Sequence, residues 1–80
     1  MTPLSVKIIS PEGVKFQGDC TSLTFPVFDG YYGIQPGYEN SFFKLESGTI
    51  TIKNGSDITK FTSFEGTLMC ENNSVTIICK

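Results

Sequence analysis

The residue types that most often carry out catalysis are few and scattered in this sequence. Histidine is absent, which excludes Ser-His and Cys-His nucleophiles, histidine metal ligands and an imidazole base. The eight carboxylates are spread along the chain, and no two stand at a spacing that local structure would bring together for acid-base work. We therefore expect solvated carboxylates, with no catalytic residue, no cofactor and no metal-binding site.

Sulfur and phosphate chemistry are not indicated either. The cysteines Cys20, Cys70 and Cys79 are odd in number and lack a C-x-x-C spacing, so we predict ordinary buried thiols rather than disulfides or a zinc site. The segment Gly30-Tyr31-Tyr32-Gly33 lacks the Lys-Ser/Thr pair and the helix of a phosphate loop. The six lysines are scattered and the net charge is −2, which argues against nucleic-acid binding.

Aromatic side chains are the remaining candidates for binding. Most of the aromatic residues between positions 28 and 43 are expected in the core. Tyr31 and Tyr32 are adjacent in a glycine-flanked segment, so both rings cannot point inward, and we expect at least one exposed ring. Exposed tyrosines are typical anchors of protein interfaces.

The composition favours strands over helices. Val, Ile, Thr, Phe and Tyr supply 31 of the 80 residues, whereas Ala is absent and Leu occurs four times. Branched and aromatic side chains suit a pleated sheet, and Ala and Leu suit helices. A chain of this length buries roughly 63 per cent of its surface, which is enough for one core. The sequence therefore predicts one all-β domain, an antiparallel β-sandwich of about ten short strands in two sheets.

Turn signals divide these strands. Ser10-Pro11-Glu12-Gly13 predicts a reverse turn, and Asn54-Gly55 predicts a hairpin with a type I′ turn centred on these two residues. Glu71-Asn72-Asn73 predicts the last hairpin. Gly30 to Tyr38 is interrupted by glycine and proline and is expected to be mostly irregular. The differing parity of Ile58 and Phe61 predicts a β-bulge between them.

Targeting signals are not expected. The sequence begins without a charged and then apolar leader, and no apolar run approaches 18 residues. We therefore expect neither a signal peptide nor a transmembrane segment, and a reducing, cytosol-like compartment.

The order of these turn residues resembles one family over about residues 4 to 79. The resemblance rests on Ser10-Pro11-Glu12-Gly13, on Gly30-x-x-Gly33-Ile34-x-Pro36-Gly37, and on Leu45-x-x-Gly48-x-Ile50-x-Ile52. Phe61, Gly66 and the closing Val75-Thr76-Ile77-Ile78 agree with it. The family is the epsilon subunit of F-type ATP synthases, called delta in mitochondria. The resemblance implies one β-sandwich domain over residues 1–80, with no C-terminal helical hairpin in them.

What the resemblance implies about function is structural rather than catalytic. Such a subunit joins the gamma subunit to the c-ring in the rotor stalk, couples ion translocation to ATP synthesis and forms no active site. The implied gamma-facing residues are Ser10, Pro36, Gly37 and Tyr38, and the implied c-ring-facing residues are Phe28, Asp29, Gly30, Tyr31 and Tyr32. The implied location is peripheral, on the cytoplasmic face of the membrane or its organelle equivalent, without lipid insertion and without a small-molecule substrate.

Two other classes of protein stay open at this point. A small binding module could use Tyr31 and Tyr32 as a stacking platform for a carbohydrate, or for a protein ligand. An enzyme is the remaining class, although the missing histidine and the scattered carboxylates leave it without obvious machinery.

Overall fold

Strands account for all the regular secondary structure in residues 2–80, the part of the chain that the computed structural model describes. The strands in this range are β1 (Leu4–Ser10), β2 (Gly13–Cys20), β3 (Ser22–Val27), β4 (Gly30–Ile34), β5 (Ser41–Leu45), β6 (Gly48–Asn54), β7 (Asp57–Ser63), β8 (Gly66–Glu71) and β9 (Ser74–Cys79). The prediction of an all-β sandwich is confirmed. Over residues 2–80 it has nine strands rather than about ten.

The strands form two sheets. The five-stranded sheet has the order β2-β1-β9-β8-β5, and the four-stranded sheet has the order β4-β3-β6-β7. Every strand pair is antiparallel except one, since β1 runs parallel to β9, with Val6 beside Val75 and Ile8 beside Ile77. This parallel pair joins the first and the last strand of the described residues. Because parallel strands are not connected by a hairpin turn, no turn signal in the sequence predicts the pair.

Alternation along the strands builds the core between the sheets. In β1, Leu4, Val6 and Ile8 are buried while Ser5 and Lys7 face solvent, as a strand covered on one face requires. The buried apolar side chains are Leu4, Val6, Ile8, Cys20, Leu23, Phe25, Ile34, Leu45, Ile50, Ile52, Leu68, Cys70, Val75 and Ile77. Burial of Cys20 and Cys70 is as predicted, and Cys79 is half-buried.

Aromatic side chains close the two lateral edges of the sandwich. Phe16 of β2 meets Phe61 of β7 in an edge-to-face contact, with ring centroids 5.7 Å apart. At the opposite edge, Tyr32 of β4 lies against Phe43 of β5, with centroids 5.2 Å apart. An open edge of the sandwich would expose the apolar core, and these rings cover part of it at each edge.

The prediction that Gly30 to Tyr38 is mostly irregular is wrong, because Gly30–Ile34 forms β4. This strand pairs with β3 without interruption, from Val27 opposite Gly30 to Leu23 opposite Ile34. Gly33 lies opposite Thr24, and the position that a Cβ would occupy on Gly33 has only ordinary contacts. Glycine weakens a strand but does not end it, and here the neighbouring strand supplies the pairing.

The turn predicted at Asn54-Gly55 is also wrong, both in its position, by one residue, and in its type. Asn54 pairs with Asp57, so the two loop residues are Gly55 and Ser56. Gly55 has φ 64° and Ser56 is not among the residues with positive φ, which is the pattern of a type II′ turn with glycine first. The type I′ pattern instead occurs in the last hairpin, where Asn72 and Asn73 have φ values of 49° and 63°.

The predicted bulge between Ile58 and Phe61 is absent. β6 and β7 pair without a register shift, so Ile58 lies on the outer face and Phe61 on the inner face of one regular strand. The register shift lies in the β1–β2 pair, between Ile8 and Ile9, where Val14 and Phe16 are the partners. The bulge places Phe16 on the inner face and exposes Val14.

The short connections define two ends of the sandwich, which we call the hairpin end and the loop end. At the hairpin end, β1 finishes at Ser10, and the amide of Glu46 donates a hydrogen bond to the carbonyl of Pro26 (3.1 Å), close to the β3–β4 turn. At the loop end, the amide of Gly37 donates to the side-chain oxygen of Asn73 (2.7 Å), and the amide of Ser5 donates to the carbonyl of Asn73 (2.8 Å).

Candidate functional site

The β3–β4 hairpin presents the most exposed large apolar side chain of residues 2–80. Phe28 and Asp29 form its two-residue turn, because Val27 and Gly30 are already paired. The side chain of Phe28 is 89% exposed. Gly30 has φ 132°, a conformation that side-chain-bearing residues rarely adopt. A tight two-residue turn therefore holds an apolar ring in solvent at the hairpin end.

Both tyrosines of β4 are exposed, which confirms the prediction for at least one of them. Tyr31 is 60% exposed and Tyr32 is 41% exposed. Adjacent residues of a strand point to opposite faces. The hydroxyl of Tyr31 lies 3.4 Å from the amide of Thr49, whereas the ring of Tyr32 packs with Phe25, with centroids 6.0 Å apart. The two rings do not form the joint platform that we considered for a carbohydrate ligand.

Tyr32 instead connects the hairpin to the loop that follows β4. Its hydroxyl shares a hydrogen bond of 2.6 Å with the hydroxyl of Tyr38, and the two rings pack edge to face. The turn before Tyr38 contains Gly37 at φ 88°, whose amide is held by Asn73. The structure thus brings one residue of each predicted interface, Tyr32 and Tyr38, into direct contact.

The contact between Tyr32 and Tyr38 predicts that the free energy of unfolding depends on pH in the alkaline range. The hydrogen bond with Tyr32 raises the pKa of Tyr38 to about 12, and partial desolvation contributes in the same direction. The folded state therefore favours the neutral phenol of Tyr38. The stabilising effect of the hydrogen bond is fully present below about pH 10, the pKa of an unfolded tyrosine. It is lost as the pH rises through about 12, the pKa of Tyr38 in the folded chain. We expect the stability difference between the natural chain and Tyr38→Phe to shrink over this range, measured by urea unfolding at each pH.

Tyr31→Phe is the matched control for that experiment, since its hydroxyl lies outside the Tyr32–Tyr38 pair. A difference between the natural chain and Tyr38→Phe that stays constant between about pH 10 and about pH 12 would contradict the prediction.

Ser10 does not join the other predicted gamma-facing residues. It ends β1 at the hairpin end, the same end as the Phe28–Asp29 turn, whereas Pro36, Gly37 and Tyr38 lie at the loop end. A β-strand rises about 3.3 Å per residue, so the 7 residues of β1 keep the two ends of the sandwich well apart. The predicted c-ring-facing residues are contiguous in one hairpin, but the predicted gamma-facing residues are divided between the two ends.

An exposed apolar strip, which the sequence reasoning missed, crosses the outer face of the five-stranded sheet. The registers place three of its members side by side on β2, β1 and β9 and two side by side on β8 and β5. The step from β9 to β8 is diagonal, because Ile78 pairs with Thr67 and Met69 pairs with Thr76. The strip consists of Val14, Ile9, Ile78, Met69 and Phe42, of which all but the half-buried Ile9 are exposed. Four strand spacings of about 4.8 Å make it roughly 19 Å wide across the strands, and it shifts by two residues along them between Ile78 and Met69. It runs from beside Ser10 to the start of β5, next to the loop that carries Tyr38.

A signal for this strip was present in the sequence. The doublets Ile8-Ile9 and Ile77-Ile78 break the alternation of their strands, because the second isoleucine of each pair must face away from the core. Ile9 and Ile78 are direct partners in the parallel pair. A large apolar patch on the outer face of a sheet typically marks an interaction surface.

Residues 2–80 contain no group of three or more His, Cys, Asp or Glu side chains placed to hold a metal ion. Over the same residues, no helix is long and apolar enough to cross a membrane.

Comparisons with known proteins agree on one family. Residues 3–80 match the family described as ATP synthase, Delta/Epsilon chain, beta-sandwich domain. The ATP synthase epsilon chain of Endomicrobium trichonymphae is 32% identical over 80 residues, which are 100% of this chain and 58% of that protein. The epsilon chain of Nitratiruptor sp. is 40% identical over 53 residues, 66% of this chain and 41% of that one. The chain therefore spans about half the length of these relatives.

Solved structures agree on the fold. A chain of the Euglena gracilis mitochondrial ATP synthase, solved with its OSCP, F1 and c-ring, aligns with a TM-score of 0.90 at 15% identity. The alignment covers 99% of this chain and 51% of that one. A chain in the central stalk and c-ring structure of the Tetrahymena thermophila mitochondrial ATP synthase aligns with a TM-score of 0.81 at 18% identity, covering 98% and 63%.

Proposed function

Since this chain belongs to the ATP synthase delta/epsilon family, whose β-sandwich domain its residues 3–80 match, we propose that it is a rotor-stalk subunit linking the gamma subunit to the c-ring. Its relatives are epsilon chains, which are non-catalytic stalk subunits of that complex. In this role the domain makes and breaks no bonds. It couples ion translocation to ATP synthesis by transmitting rotation, and its attachment to the membrane is through the c-ring.

The observation that carries the proposal is the path of the apolar strip. The strip begins beside Ser10 at the hairpin end and finishes at Phe42, next to the loop of Pro36, Gly37 and Tyr38. A gamma subunit lying along the strip would contact both Ser10 and the loop of Pro36, Gly37 and Tyr38 at once. The strip thus supplies an apolar surface with one diagonal step, where the sequence indicated only separate contact residues.

The c-ring contact is proposed at the hairpin, from Phe28 to Tyr32. This segment is contiguous, exposed and held by the Tyr32–Tyr38 hydrogen bond, so little conformational freedom is lost when it docks. Phe28 offers an apolar ring and Asp29 an exposed carboxylate beside it. Polar loops with an apolar recess would complement this pair.

Rigidity is the mechanical requirement of such a linker. The two proposed interfaces belong to one sandwich with a longest extent of 32 Å. Backbone ladders join β3 to β4 at the c-ring side, and Tyr32 and Phe43 fix the edge between the two sheets. Close-packed interiors deform little, so a force on the hairpin reaches the strip without rearrangement of the domain.

A crossed pair of phenylalanine variants tests the two interfaces separately. Phe28→Ala should weaken binding to a detergent-solubilised c-ring by about 1 to 3 kcal/mol, roughly 5- to 150-fold, and leave gamma binding unchanged. Phe42→Ala should do the reverse. Because both rings are mostly exposed, at 89% and 65%, neither change should alter the free energy of unfolding by more than about 0.5 kcal/mol.

Each variant is thus the control for the other, with affinities measured by titration and stability by urea unfolding. If either variant weakens both complexes equally, the two interfaces are not assigned as we propose. If the natural chain binds neither the gamma subunit nor the c-ring, the proposed function itself is wrong.

A further inference from the structure

A cavity of about 390 Å³ opens at the hairpin end, on the lateral edge between β2 and β7. The Phe16–Phe61 contact closes this edge only in part. At the opposite edge, Phe25, Tyr32, Tyr38 and Phe43 pack as one aromatic group. The cavity is a recess beside the end of β1 that the side chains of the domain leave open.

The walls of this cavity are mainly apolar. Ile8 and Ile50, almost completely buried, form part of it together with Phe61, and Phe64 stands at its mouth with 63% of its side chain exposed. The buried hydroxyl of Ser63 already donates a hydrogen bond to the carbonyl of Gly48 (3.4 Å). Among residues 2–80, no buried side-chain nitrogen or oxygen lacks a partner, so nothing in the cavity requires a polar ligand.

The charges around the mouth neutralise one another. The Nζ atom of Lys15 lies 2.7 Å from Oε1 of Glu12, and Nζ of Lys80 lies 3.9 Å from Oε2 of Glu65. A charged occupant would have to compete with these pairs and would lose its own hydration. The electrostatics therefore favour an uncharged, apolar occupant.

Size and surroundings identify the kind of occupant. A dry apolar cavity of about 150 Å³ holds a benzene molecule, so this one has room for about two such groups. The cavity opens at the end of the sandwich where the strip begins, since Ser10 in its wall directly follows Ile9 of the strip. The cavity lies between the sheets, however, and the strip lies on the outer face of one of them. A small molecule in the cavity would leave the strip exposed, whereas a protein lying on the strip and reaching around the edge strand β2 could cover the strip and fill the cavity together.

We propose that this cavity receives one or two large uncharged apolar side chains of the gamma subunit, a pocket contact that anchors the Ser10 end of that interface. The inference rests on the proposed function. Ser10 lies in the wall of the cavity. A side chain seated in the cavity would therefore give the Ser10 end of the interface a specific contact that the strip alone does not provide. Aromatic side chains seated in well-packed, desolvated pockets are typical hot spots of protein interfaces.

The thiol of Cys79 is a built-in probe of this contact. Cys79 lines the cavity and is half-buried, while Cys20 and Cys70 are buried in the core and serve as internal controls. Burial raises the pKa of both control thiols, which further lowers their reactivity. Alkylation of the chain by iodoacetamide, with and without saturating gamma subunit, can be followed for each cysteine by mass spectrometry.

We expect the gamma subunit to slow alkylation of Cys79 at least about tenfold. If the gamma subunit binds and the rate at Cys79 does not change, the pocket contact is wrong and the proposed function stands. If the gamma subunit does not bind, both are wrong.

A second variant tests the same contact without the thiol. Phe64→Ala removes the ring at the mouth of the cavity and should weaken gamma binding about tenfold, with little effect on folding because the ring is exposed. Ile58→Ala is the matched control, since Ile58 is 56% exposed on the outer face of the four-stranded sheet, away from the cavity. Equal affinities for the two variants would overturn the proposal.

Discussion

Replacing Phe25 with alanine is expected to lower the free energy of unfolding by about 3 to 5 kcal/mol, the usual cost of removing a buried phenylalanine. Phe25 is fully buried, and its ring packs against Phe43 and Tyr32 with centroids 5.0 Å and 6.0 Å apart. The domain contains one small core, so neighbouring side chains cannot collapse into the space without opening the edge between β4 and β5. Urea unfolding followed by circular dichroism measures the change.

The size of this loss matters because a domain of this length has a total stability of only about 4 to 12 kcal/mol. If Phe25→Ala is largely unfolded in water, the milder Phe25→Leu keeps the experiment quantitative, with an expected loss smaller than that of alanine. Phe42→Ala is the control, because its ring is 65% exposed and should change stability by less than about 0.5 kcal/mol. A loss below about 1 kcal/mol for Phe25→Ala would show that this ring does not stabilise the core.

Gly66→Ala is the second large effect that we expect, with a loss of about 3 kcal/mol or more. A Cβ atom at this position would overlap the carbonyl oxygen of Ile78 and would lie 2.8 Å from the Cα atom of Cys79. These atoms belong to the backbone of β9, which pairs with both β8 and β1. A side-chain rotation cannot relieve such a clash, so the β8–β9 ladder must shift where Gly66 pairs with Cys79, at the end away from the Asn72–Asn73 turn.

Gly33→Ala separates this steric effect from the general effect of replacing glycine. Gly33 is also in a strand, and an added Cβ there would be no closer than 3.6 Å to Leu23 and Thr24. Since alanine reduces the freedom of the unfolded chain, Gly33→Ala should be neutral or more stable by up to about 1 kcal/mol. Thermal unfolding distinguishes the two, because about 3 kcal/mol corresponds to a decrease of more than 10 °C in Tm for a domain of this size. Equal Tm values would refute the steric explanation.

The alternation of apolar and polar residues in Leu4–Ile8 and in Thr49–Lys53 agrees with the inner and outer positions in the structure, because side chains of a strand alternate whatever its partner is. The hairpin of Asn72 and Asn73 was also located from its turn residues. Its turn type was not, and the type I′ turn predicted at Asn54-Gly55 differs because the pairing of Asn54 with Asp57 moves the loop by one residue.

The missed strand β4 shows where local reasoning fails. Gly30 and Gly33 reduce the strand propensity of the segment, yet the partner strand β3 provides continuous pairing from Leu23 to Val27. Propensity is a weak preference that tertiary pairing overrides. The same limit applies to the bulge, which depends on how β1 and β2 align and lies at Ile8 and Ile9 rather than in β7.

From the sequence alone it follows that the chain is an all-β domain, that at least one of Tyr31 and Tyr32 is exposed, and that a particular order of turn residues is shared with one family. These properties depend on composition and on short-range geometry, which act within a few residues. Only the tertiary structure decided that Ser10 lies apart from Tyr38, and that Tyr38 contacts Tyr32. It also decided that five separate apolar residues form one strip. The parallel pairing of β1 with β9 aligns Ile9 with Ile78, residues 69 positions apart, and such pairing depends on the packing of the whole sandwich rather than on any local signal.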